Sequence, residues 1–324
     1  MARREIMDEG LPPRIPFLPD LVLHHENGIL VTGMDGEVAW LDNALNPLGP
    51  AHRPHPMRIH RGAVAGGRLV AMWLDRELLL ATMAAIPVGT SEQGASRAEV
   101  RASMGSNVTH HPKGNLWSHT LDAEPMGLTV EGTTVVFELY RRGLYSITLD
   151  AEEQWRQPSP IWQYAKPRPR SEETVGLRIH RGALLITSKG GRVQRRSLET
   201  GAVQEEFLLD GIEGPIEHHF AHDEDELVCS ASGLLSWLNN GRMVNQTQMS
   251  GPVQHAAWDP RLSGWRVAGW REEAVISERT IQRSSTVEIP VHVIPQGSGA
   301  VLLMNDGSWR SSALEAEHQP DEDE

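Results

Sequence analysis

A regular spacing constrains this chain more than any single residue. Short alternating stretches, each opened by a turn and closed by Leu with an acid or amide, recur along it. They lie at Gly36–Asp42, Arg68–Asp75, Asn115–Asp122, Gly143–Asp150, Arg192–Glu199 and Gly233–Asn239, with weaker copies at Glu273–Glu278 and Ser308–Glu315. Their ends, at 42, 75, 122, 150, 199, 239, 278 and 315, are 39 residues apart on average. Two stretches also repeat almost by letter. Arg58-Ile-His-Arg-Gly-Ala63 returns at Arg178–Ala183, an offset of 120, and Leu116–Glu124 matches Leu144–Glu152. Period-two strands bounded by Gly, Asp and Asn turns predict an all-β repeat protein. The 30 Gly and 21 Pro break every window long enough for a helix.

Four strands and their turns need about 40 residues, the size of one propeller blade. A blade buries both faces against its neighbours, so the units must close into a ring. The spacing therefore predicts a single closed β-propeller of four-stranded blades over residues 20–315. Eight blades are favoured. Seven is the rival count, because the early intervals are uneven; it makes 87–114 an insertion and Leu116–Asp122 an outer strand. Residues 1–19 are expected to complete the last blade through Arg14–Leu18. Residues 316–324, almost all polar and mostly acidic, are expected to be a disordered tail.

Arg142-Gly-Leu-Tyr-Ser-Ile-Thr-Leu-Asp-Ala-Glu-Glu-Gln-Trp155 resembles the repeat of the quinoprotein-like (PQQ-like) propellers. A Gly turn leads to a strand ending Leu-Asp, then a short turn and a docking Trp. Gly191–Gly201 fits the same pattern, and WD40-like repeats are the related alternative. The resemblance implies structure rather than chemistry. Quinoprotein dehydrogenases bind PQQ and calcium, and many place a cysteine pair against the cofactor. This chain has one Cys and about half their length, so PQQ is not expected.

Charge narrows the partners. A net charge of −13 with no basic stripe argues against nucleic acid, whose binding rests on cations neutralising phosphates. Cys229 alone excludes an intrachain disulfide and a Cys-based metal cage. No apolar run approaches the roughly 20 residues a membrane helix needs, and Met1–Glu9 is charged at once. A cytoplasmic chain without membrane contact is expected.

Histidine is the unusual component, 15 of 324 residues. His24, His25, His60, His180, His218, His219, His255 and His292 fall in the expected inner strands, which line a propeller's channel. His24, His60, His180, His255 and His292 are the channel-lining candidates for a metal, anion or titrating substrate. His218, His219, His222 and Asp223 are the densest set of potential ligands for a divalent metal. His110-His111 with Lys113 is a weaker set in a loop. Hydrogen bonding to the backbone is the structural alternative for every one of them. No nucleophile elbow, phosphate loop or His-Glu-x-x-His motif is present. The expected function is a non-enzymatic scaffold binding another protein through loops on one ring face. The alternatives are a hydrolase or lyase using channel-mouth His and carboxylates, and a metal or small-ligand binder. Two further segments suit a surface role: the proline-punctuated Gln157–Arg170 and the exposed member, if any, of ten Trp.

Overall fold

The computed structural model describes residues 10–164, 172–209, 211–212, 214–297 and 299–314. The acidic tail, residues 1–9 and the basic part of the 157–170 segment lie outside them. Seven antiparallel sheets follow one another along the chain, and each is a meander in sequence order. Their inner strands are Pro19–His25, Arg58–Ala65, Pro125–Glu131, Thr174–His180, Ile216–His222, Val253–Asp259 and Pro290–Gln296, in blades 1 to 7. Each inner strand adjoins the next, and that of blade 7 adjoins that of blade 1. The ring is closed.

Seven, not eight, is the count. Trp117–Leu121 is the outer strand of blade 2, and the residues between Pro87 and Trp117 are an insertion holding one helix, Arg97–Ser103, capped by Ser96 and Glu99. The 120-residue offset between the two hexapeptides therefore spans two blades rather than three. The insertion turns back over blade 1, where residues 43–57 replace an outer strand. Gly94 N donates to Arg53 O, and Lys113 N donates to Pro54 O.

The core is a set of wedges, one at each blade boundary. Blade 2 shows how alternation builds them: Leu69, Ala71 and Trp73 pack against blade 1, while Val70 and Met72 pack against blade 3. Five further clusters fill the remaining boundaries. At the closing boundary Ile15, Val31 and Leu41 meet Leu303 and Trp309. The N-terminal segment is pinned there. Ile15 N donates to Gly307 O at 2.9 Å and Trp309 Nε1 donates to Pro13 O at 3.1 Å. Blades 1 and 7 each have three strands among the described residues.

Every inner strand carries a register shift near its start. Such a bulge bends the strand and changes which side chains point into the channel. Because the sheets are meanders, the starts of the inner strands, the second-to-third strand turns and the interblade connections share one face, here the upper face.

Candidate functional site

All eight histidines singled out above lie on inner strands. Three of them meet. His24 Nε2 is 3.0 Å from His292 Nε2, and the rings of His292 and His255 stack with centroids 3.5 Å apart. Phe220 extends the row, edge-on to His255 and stacked on His218. Burial, followed by the fields of His24 and His218, lowers the pKa of His255 to about 3, and burial with His255 and His24 lowers that of His292. The row is therefore neutral at pH 7. Ring-nitrogen lone pairs lie in the ring plane, so two stacked imidazoles direct theirs side by side rather than onto one point.

The other candidates go elsewhere. His219 is nearly inaccessible between blades 4 and 5, with Nδ1 2.8 Å from Thr187 Oγ1 and Nε2 3.5 Å from Glu226. His222 stacks on Trp258, and Asp223 lies in the exposed turn beside it. His180 ends its strand at a turn on the lower face. His60 occupies the bulge of blade 2; burial, with Arg61, Arg76 and Arg58, lowers its pKa to about 3. His111 bonds Ser118, and Lys113 pairs with Glu92 at 3.7 Å. Among the described residues no three of His, Cys, Asp or Glu are grouped to hold a metal ion.

The channel opens at the upper face through a funnel of about 790 Å³. Its rim mixes charges: Arg76 pairs with Glu124, Lys189 with Glu173, and Arg141 lies over the Tyr140 ring. Beside it a groove of about 440 Å³ lies on blade 2 and its connection to blade 3, lined by Leu74, Leu80, Ala81, Leu121 and Ala123. Large apolar side chains stand out from the same face. Leu79 (87% exposed), Tyr140, Met34 and Trp270 (48%) occupy second-to-third strand turns, while Ile161 (79%) and Val287 (65%) occupy interblade connections. On the lower face the first-to-second strand turns of blades 1 to 5 are polar or glycine, Glu26-Asn27, Gly66-Gly67, Gly132-Thr133, Arg181-Gly182 and Asp223-Glu224. That of blade 6 carries Leu262, and Val203, Met243 and Ile281 are exposed at the lower ends of outer strands. The exposure of Trp270 was not legible in sequence; its signal was only that it fell outside the regular repeat.

No protein-family model matches the sequence, and no curated protein sequence matches it. Solved structures do. The β-propeller domain of Cps50 (Swd1) from Myceliophteria thermophila aligns over 93% of this chain and 98% of its own, with TM-score 0.65 and 10% identity. The WD40 domain of Doa1 aligns over 94% and 95%, with TM-score 0.63 and 11% identity. BamB from Moraxella catarrhalis aligns over 89% and 82%, with TM-score 0.55 and 10% identity. The chain has the seven-bladed β-propeller fold. The propeller is thus similar both to WD40 and to PQQ-like rings, the two kinds its repeats resemble. No described helix of the propeller is long and apolar enough to cross a membrane.

Proposed function

We propose that the propeller is a non-enzymatic scaffold that binds another protein through its upper face. The observation that carries this reading is the set of large exposed apolar side chains in the upper-face turns, Met34, Leu79, Tyr140 and Trp270, which stand beside an apolar groove. Exposed aromatic and aliphatic anchors beside a groove are what a protein interface needs, since a few large side chains supply most of its affinity. A ring of wedges holds the turns of successive blades at fixed spacing, so a partner meets a preorganised composite surface. WD40 propellers, to which this chain is similar, commonly serve as such platforms.

The test is co-purification of the tagged chain at native levels, repeated with Trp270→Ala and Tyr140→Ala. Recovery of a stoichiometric protein partner is expected. Each upper-face variant should weaken its binding by about tenfold or more, the loss typical of an anchor truncated at an interface, and lower-face Arg181→Ala should not. A bare chain, or a partner lost with Arg181→Ala and kept by the other two, overturns the reading.

A further inference from the structure

Below the funnel, blades 2 to 5 border a cavity of about 220 Å³. Arg61 and Arg178 line it together with Gly127, Gly176, Thr187 and His219. Both arginines come from the repeated hexapeptides. Their charges are not treated alike: Arg178 is paired with Glu226, whereas Arg61 is bonded only to backbone. Its Nε donates to Met126 O at 2.9 Å and its Nη1 to His60 O at 2.8 Å. No carboxylate of the described residues is within ion-pair distance. A guanidinium carries five N–H donors, so the Nη2 end of Arg61 has no protein acceptor.

We propose that this cavity binds an anionic group, the carboxylate or phosphate of a small ligand, held through the free edge of Arg61. The guanidinium fork matches two oxygens of either group, and a buried cation without an ion pair is stabilised by an anion. The remaining walls suit the ligand too. Gly176 leaves room, since a Cβ built there meets only Thr187 at 3.5 Å and His219 at 3.7 Å. Arg58 and Arg76, the nearest other arginines, are each paired, with Asp20 and Glu124, so neither carboxylate is free to pair with Arg61. Arg178 Nε is buried nearby without a hydrogen-bond partner. The cavity adjoins the funnel above it, since Arg61, Met126 and Val175 line both.

Calorimetric titration with inorganic phosphate and, separately, with acetate tests the site, at ionic strength held constant with chloride. Saturable binding of one molecule per chain is expected, and the tighter anion identifies the group. Arg61→Gln should weaken it by about tenfold or more, the loss of a charge-assisted hydrogen bond, while the exposed Arg310→Gln leaves it unchanged. Gly176→Ala, which fits without a clash, puts a methyl on the cavity wall and should weaken binding with little change in melting temperature; it decides the matter if Arg61→Gln fails to fold. Absence of saturation with both anions, equal losses in Arg61→Gln and Arg310→Gln, or full affinity in Gly176→Ala overturns the proposal. Partner binding at the turns is read by a different assay, so the two proposals fail separately.

Discussion

Glu138, on the second strand of blade 3, is a carboxyl buried at a blade boundary, 5% exposed. Burial pushes its pKa up to about 7, with Thr174 and Arg196 pulling the other way. A raised pKa means the folded state holds the proton more tightly than the unfolded chain. The stability it lends is complete below the ordinary carboxyl pKa of about 4.3 and is lost as pH rises toward 7. The ionised side chain costs on the order of 3 kcal/mol above that. Glu138→Gln should therefore raise the free energy of urea unfolding at pH 8 by about 1–2 kcal/mol and change it little at pH 5; no gain at pH 8 would mean Arg196 already neutralises the charge. Residue-level legibility was uneven for a related reason. The inner-strand histidines could be placed on their strands from spacing alone. Which of them meet could not, because each inner strand carries a bulge, and a one-residue slip transfers the following side chains to the other face. Arg61 lies directly after the bulge at His60; nothing in the alternation marks it as a channel residue.

At the scale of the element, the docking tryptophans show how neighbouring blades are tied. Trp117 Nε1, on the outer strand of blade 2, donates to Leu149 O of blade 3, and Trp155 Nε1, on that of blade 3, donates to Leu198 O of blade 4. Gly201 makes the second contact possible: its φ is +68°, and a Cβ would lie 2.6 Å from the Trp155 ring. Gly201→Ala meets both a disfavoured backbone and a clash with an indole. A loss of about 2–4 kcal/mol is expected, against about 1–2 kcal/mol for Trp155→Phe, which forfeits the hydrogen bond and one ring of the indole but keeps an aromatic face. Equal losses in the two variants, read from urea midpoints, would sink this account. The strands themselves were largely legible. The unit written at Arg192–Glu199 is the third strand of its blade, Arg192–Ser197. Both letter repeats, however, are out of register with the blades. Arg58 opens its inner strand, whereas Arg178 lies two residues from the end of its own; Trp117–Leu121 is an outer strand, whereas Gly143–Thr148 is a third strand. Any strand of a blade needs the same alternation and the same turn, so identical letters do not fix a position within it. The favoured count of eight came from that ambiguity, together with the long blade 2.

For the molecule as a whole, histidine sets the acid limit. His24, His25, His52, His55, His60, His218, His255 and His292 all have lowered pKa values, burial being the first cause in each. A lowered histidine pKa means the unfolded chain takes up protons before the folded one. Stability should therefore be full above the ordinary value of about 6.5 and fall as pH drops toward the folded values. His55, at about 4, and His255, at about 3, should each cost on the order of 2 kcal/mol by pH 5. Unfolding free energies at pH 7.5, 6 and 5 should decline steeply across a range where ordinary carboxylates barely titrate, and His255→Phe should flatten the slope. A profile flat down to pH 5 would show that the row is charged in the folded ring. The closing boundary has a consequence of another kind. Among the described residues no strand from one end is zipped into the blade at the other; the join is Ile15 and Trp309 in an apolar wedge, with a few hydrogen bonds around them. Under tension applied through its ends, such a ring parts first at that seam. It then pays out one blade at a time, in steps of roughly 13 to 23 nm for the 37 to 67 residues between successive inner-strand starts, as a cord unwinds from a spool whose last turn was tucked rather than tied.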